Sequence, residues 1–105
     1  MENRIDNAKR IFIVGIKGNG TSAIAYILSN FGKSIEGSDV KDDFITKPLL
    51  VKLSITPTLY GDVTTLKGFD LVIYSTSVDE INADVAIAQK EGIPCITYPE
   101  ALGEL

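Results

Sequence analysis

The residues with most chemistry to offer lie in one run, Ile11-Phe12-Ile13-Val14-Gly15-Ile16-Lys17-Gly18-Asn19-Gly20-Thr21-Ser22. An apolar stretch feeds a glycine-rich turn, and the turn opens a segment of helical periodicity. Gly15 permits a tight turn, and Gly18 and Gly20 let backbone approach an anion and let the helix pack closely. The amides at the helix start, around Asn19, Gly20, Thr21 and Ser22, can bind phosphate, and the helix dipole favours negative charge there. Lys17 can offer an ammonium to the same group. The dinucleotide fingerprint needs glycine at 15, 17 and 20, so Lys17 departs from it at one position. Thr21 stands where a P-loop carries its lysine, which argues against an ATP site in this turn. The competing reading is a strand-to-helix turn with a solvated Lys17 and no ligand.

Two further groups sit where such a turn would present them. Asp39, in Glu36-Gly37-Ser38-Asp39, lies 19 residues beyond Gly20, where an acidic residue accepts hydrogen bonds from a ribose. Gly37 and Ser38 leave room for a flat base or sugar. Ser75, Thr76 and Ser77 place three hydroxyls after another apolar run, suited either to a phosphate or sugar or to capping the next helix. Cys95 is expected to be a buried, inert thiol. With no histidine and one cysteine, the chain has no His-based triad, no internal disulfide and no Cys-rich zinc site. No catalytic residue and no metal ligand is expected here.

These residues need elements to position them. β-rich runs fall at 11–14, 34–36, 58–60, 71–74 and 95–97. Between them, 21–31 carries Ile24, Ile27, Leu28 and Phe31 on one helical face, with Gly32 as its stop. A second helix is expected at 82–91, with Asn82 as N-cap. A third is expected at 45–53 with Pro48 in its first turn, and one helical turn at 63–67. Alternation of strand and helix predicts a parallel sheet with right-handed crossovers. The uninterrupted apolar runs 11–14 and 71–74 suit central strands covered on both faces. The expected fold is α/β: a Rossmann-like three-layer domain with a five-stranded parallel sheet, order 3-2-1-4-5. A ligand belongs at the carboxyl ends of strands 1, 2 and 4.

The chain of 105 residues suffices for one such domain, spanning 1–105. Its net charge of -4 argues against broad nucleic-acid binding, and no apolar run approaches the ~20 residues that span a membrane. Polar residues at the start and the single cysteine fit a reducing cytoplasm.

Taken in order and spacing, Gly15 to Ser22, Gly37-Ser38-Asp39, Tyr74-Ser75-Thr76-Ser77 and Tyr98-Pro99-Glu100-Ala101-Leu102-Gly103-Glu104-Leu105 resemble the N-terminal domain of the Mur ligases, nearest to the L-alanine-adding members. The resemblance covers nearly the whole chain. It implies a three-domain, ATP-dependent amide ligase of peptidoglycan synthesis. Its first domain is Rossmann-like and holds the uridine-diphosphate end of UDP-N-acetylmuramic acid. It implies that Gly18, Asn19, Gly20, Thr21 and Ser22 cradle the diphosphate, with Gly15 and Lys17 in the same turn. Ser38 and Asp39 would meet the uridine, and Ser75, Thr76 and Ser77 would line the path towards the second domain. ATP and magnesium would belong to a central domain outside this chain, so the chain reads as a domain excised from a longer ligase and inactive alone. The family's glycine at position 17, its methionine at 21 and its histidine after Gly61 are replaced here by Lys17, Thr21 and Asp62. Two other readings remain open: an NAD-binding regulatory or dehydrogenase module, and a non-enzymatic interaction domain with an empty glycine turn.

Overall fold

The structure is a computed structural model that describes residues 4–42, 44–78 and 81–105. Five strands, β1 (Arg10–Val14), β2 (Ser34–Asp39), β3 (Thr58–Leu59), β4 (Leu71–Tyr74) and β5 (Cys95–Thr97), form one sheet. The helices are α1 (Arg4–Asn7), α2 (Asn19–Asn30), α3 (Lys47–Lys52), α4 (Ala83–Lys90) and α5 (Tyr98–Glu104). The strand order is β3-β2-β1-β4-β5, and every pairing is parallel. The Rossmann-like expectation therefore holds, order included.

Alternation along the strands divides the core in two. Ile11 and Ile13 of β1, Leu71 and Ile73 of β4 and Ile96 of β5 point to one face. There they meet Ile5 of α1, Ile24, Ala25 and Leu28 of α2, Leu50 of α3 and Ala101 of α5. Phe12, Val14 and Val72 point to the other face, where Val85 and Ala88 of α4 and Leu66 cover them. Side chains 11–14 are all buried, as a strand sandwiched between two helix layers requires.

Four local expectations change. β2 runs on to Asp39, so Gly37, Ser38 and Asp39 are strand residues. Val14 pairs with Ser38 on one side, and Thr58 and Leu59 pair with Ser38 and Asp39 on the other. Gly37 makes this register possible: a Cβ there would lie 2.5 Å from the Ile13 carbonyl oxygen and 2.7 Å from Ile16 Cδ1. Residues 63–67 form no helix. Glu91 competes for them: its carboxylate accepts from the Leu66 amide at 2.6 Å and the Thr65 hydroxyl at 2.6 Å. α3 starts at Lys47, later than expected, with Pro48 in its first turn. The periodicity also gave no sign of α1 or α5. α5 is set by a capping box in which the Glu100 amide donates to the Thr97 hydroxyl and the Thr97 amide donates to the Glu100 carboxylate.

Candidate functional site

The carboxyl ends of β1, β2, β3 and β4 surround a cleft of about 370 Å³. Its floor is the glycine turn, represented by Gly15 and Gly18. Asp39, Val40, Phe44 and Tyr60 form one wall, and Ser77, Val78, Ile81 and Asn82 form the other.

The turn is built for close approach. Gly15 has φ +83°, which favours glycine, and a Cβ on it would sit 2.7 Å from Ser75 Cβ. The amides of Gly15 and Ile16 donate to the Ser38 carbonyl at 2.8 and 3.2 Å, tying the turn to β2. Gly18 is the N-cap of α2 and supplies no side-chain cap. The first intrahelical bond is Ser22 N–H to the Gly18 carbonyl, 2.9 Å. The amides of Asn19, Gly20 and Thr21 precede it and have no intrahelical acceptor, which leaves a group of donors at the positive end of the helix dipole.

The side chains there serve other partners. The Thr21 hydroxyl is buried and donates to the Gly15 carbonyl at 2.7 Å. The buried Ser22 hydroxyl donates to the Asn19 carbonyl at 3.1 Å. Of these two residues only Thr21 keeps a donor for an anion, its backbone amide; the Ser22 amide and hydroxyl are both spent inside the helix start, so Ser22 drops out of the expected cradle. Gly20 is required by an aromatic ring: a Cβ on it would lie 2.5 Å from Tyr98 Cζ. Lys17 is turned away from the helix start. Its amide donates to Asp39 Oδ2 at 2.8 Å, and its ammonium donates to the carbonyls of Val40 and Asp42 at 2.7 and 2.8 Å. The Lys17 ammonium is thus engaged by the connection that follows β2.

Asp39 lines the cleft yet is only 6 % exposed. Besides Lys17 it accepts from the Val40 amide at 2.7 Å, and its carboxylate neighbours the Tyr60 hydroxyl. Ser38 lies beside it fully buried, its hydroxyl without a hydrogen-bond partner, so that side chain does not reach the cleft. Tyr60 was not anticipated as a site residue; its only signal was its place at the end of the third β-rich run, 58–60, of which the structure keeps Thr58–Leu59 as strand. Burial raises its pKa well above that of a free tyrosine, and the neighbouring carboxylates of Asp39 and Asp84 push the same way. The hydroxyl therefore stays protonated. Asp84 is buried in α4, where Oδ1 accepts from the Gly61 amide at 3.0 Å and Oδ2 is unpartnered.

On the opposite wall the Ser75 and Ser77 hydroxyls are 3.0 Å apart, and the Ser77 amide donates to Ser75 Oγ. Thr76 and Ser77 are exposed. Asn82 caps α4 as expected, accepting from the amides of Asp84 and Val85 at 2.8 and 3.3 Å. Phe44, Val78 and Ile81 give the cleft an apolar component that sequence reading missed. The Cys95 thiol is half-buried, which raises its pKa and keeps it protonated. Among the described residues no cluster of three or more metal-ligating side chains occurs. Nor does the turn fit ATP, since Thr21 replaces the P-loop lysine and spends its hydroxyl on Gly15. No described helix is long and apolar enough to cross a membrane.

Fold and site together define a Rossmann-like α/β domain with its glycine turn at the carboxyl end of the first strand. Residues 10–105 match the sequence model described as the Mur ligase family, catalytic domain, and the chain belongs to that family. Among curated proteins it is 39% identical over 110 residues to UDP-N-acetylmuramate–L-alanine ligase of Borreliella burgdorferi, covering 100% of this chain and 24% of the relative. It is 41% identical over 98 residues to the enzyme of the same name from Treponema pallidum, covering 91% and 20%. Among solved structures, UDP-N-acetylmuramate-alanine ligase of Thermotoga maritima superposes with TM-score 0.76 at 28% identity, covering 89% of this chain and 21% of that one. UDP-N-acetylmuramate:L-alanyl-gamma-D-glutamyl-meso-diaminopimelate ligase of Neisseria meningitides superposes with TM-score 0.78 at 26% identity, covering 91% and 30%. The chain thus spans a fifth to a quarter of the length of these curated relatives.

Proposed function

We propose that this chain is the domain of a peptidoglycan ligase that binds the uridine-diphosphate part of UDP-N-acetylmuramic acid. The observation that carries the reading is the row of acceptor-free amides at Asn19, Gly20 and Thr21, opening beside a cleft in a member of the Mur ligase family. Charge orients the ligand. The α2 end of the cleft offers N–H donors, while the Tyr60 side is backed by the carboxylates of Asp39 and Asp84. A diphosphate belongs at the first, and a neutral group with N–H or O–H donors, such as a ribose or a pyrimidine, at the second. Phe44, Val78 and Ile81 supply apolar surface for a flat base. Ser75, Thr76 and Ser77 then flank the route by which the rest of the substrate leaves the cleft.

In this reading the chain is a single binding domain, 1–105, of a longer cytoplasmic enzyme that joins L-alanine to the muramate carboxylate. The chain supplies no catalytic residue; ATP and magnesium belong to a further domain. An NAD module is the weaker reading, because the family match lies elsewhere. Calorimetric titration of the chain with UDP-N-acetylmuramic acid, UDP and NAD separates the two. Binding of both uridine compounds and not of NAD is expected; binding of NAD alone overturns the proposal.

A further inference from the structure

We infer that Lys17 is a positioning residue that holds one wall of the nucleotide cleft in place, and that it is not a phosphate ligand. The inference rests on the nucleotide reading above for its consequence, and on the geometry of the Lys17 bonds for its substance.

Every polar group of Lys17 is committed to the connection between β2 and α3. Its N–H donates to Asp39 Oδ2 at 2.8 Å, at the start of that connection. Its carbonyl accepts from the Thr46 hydroxyl at 2.7 Å, at the end. Its ammonium donates to the carbonyls of Val40 and Asp42, and lies 5.9 Å from the centre of the Phe44 ring. One residue of the glycine turn thus clamps the connection at both ends and in the middle. Val40 and Phe44, the apolar residues of that wall, are carried on the clamped stretch.

Beyond Lys17, the backbone of the wall is held by the Lys47 amide donating to the Phe44 carbonyl at 3.0 Å and the Val40 amide donating to Asp39 Oδ1 at 2.7 Å, bonds that leave the Phe44 ring itself unheld. Phe44 lines the nucleotide cleft and also a second cleft of about 250 Å³, floored by Leu50, Val51 and Ile55. Phe44 is 42 % exposed and Val40 41 %. An aromatic ring with apolar space behind it has a second place to go. Close packing on both sides is therefore incomplete, and the bonds that hold the backbone under the ring, those of Lys17 among them, bias where it sits. Two charge-assisted bonds to carbonyls are worth enough to bias such an equilibrium. A ligand that needs the wall in place then binds without first ordering it.

The test is Lys17→Met, which keeps the apolar stem and removes the ammonium, with Lys17→Gln as a second variant. Affinities for UMP and UDP are measured by calorimetry, and hydrogen exchange of the ligand-free chain is followed by mass spectrometry over the peptides spanning Val40, Phe44 and Thr46. A clamp predicts about tenfold weaker binding of both nucleotides by the same factor, with faster exchange in those peptides and an unchanged rate in β1 and β4. A loss that is larger for UDP than for UMP identifies Lys17 as a phosphate ligand and overturns the inference. Unchanged exchange in both variants overturns it as well. If the unsubstituted chain binds neither nucleotide, the proposed function fails on its own, and the exchange comparison still decides whether Lys17 clamps the wall.

Discussion

Asp39 shows how a single carboxylate can serve the fold and the site together. Its oxygens accept from the amides of Lys17 and Val40 beside the Tyr60 hydroxyl, in a nearly closed environment. Asp39→Ala leaves those donors without an acceptor, so a stability loss of about 2–4 kcal/mol is expected along with weaker nucleotide binding. Urea denaturation of the variant without ligand checks the first effect separately from the second. Sequence spacing brought Asp39 to notice as a ribose partner; its inward bonds were hidden because they depend on where Lys17 comes to rest. Gly20 is a parallel case. Its glycine was legible as a small residue at a helix start, but the neighbour that demands it is Tyr98, nearly eighty positions away. Gly20→Ala is expected to cost about 1–3 kcal/mol through crowding of that ring. In a double-mutant cycle with Tyr98→Leu most of the cost should disappear, and additive losses would show that the ring is not the cause.

Among the elements, α4 is set by its ends. Asn82 accepts two amides at its start, and Asn82→Ala should cost about 1 kcal/mol in thermal or urea unfolding. Glu91, at its far end, holds residues 65–66 in their non-helical course. The Thr65 hydroxyl, then the Leu66 amide, keep its carboxyl below the usual glutamate range. A depressed pKa in the folded state means that this contribution is complete above the ordinary value of about 4.3 and is lost as pH falls through the folded value. Unfolding midpoints should accordingly fall in acid below about pH 4, and fall less steeply in Glu91→Gln. The elements that sequence reading placed correctly, β1, β4, β5, α2 and α4, are those with a continuous apolar run or a clear helical face. Those it missed or misread are fixed from outside. α1 has one buried side chain, Ile5, and α5 has one, Ala101, too few to produce a periodic pattern. Residues 63–67 took a path dictated by Glu91, and β2 was extended by pairing with β1 and β3 past a glycine that reads as a stop.

At the scale of the whole molecule, topology was the most legible feature, because apolar runs alternating with helical faces leave few ways to build a parallel sheet. The glycine turn was legible as a site for the same reason: it follows the central strand. The apolar wall of the cleft was not, since Phe44 and Ile81 lie in connections whose exposed side chains carry no pattern. Under the proposed function, with the substrate bound here and ATP in a further domain, the chain should give no ATP-dependent ligation of L-alanine by itself, and detectable product from the purified chain would refute that division of labour. One long-range contact has a consequence for chain connectivity. The Arg4 guanidinium donates to Glu104 at 2.7 and 2.9 Å, and the Arg4 amide donates to the same carboxylate at 2.9 Å. The first and last helices are thereby fastened side by side, at a distance a few glycines can bridge. The turn at Gly32 has φ +82° and open space around it, and it precedes β2 at the amino end of the strands, opposite the cleft. A circular permutant, with residue 105 joined to residue 4 and new termini opened at Gly32, should fold to the same sheet and keep its nucleotide affinity, because neither the cut nor the splice crosses the cleft.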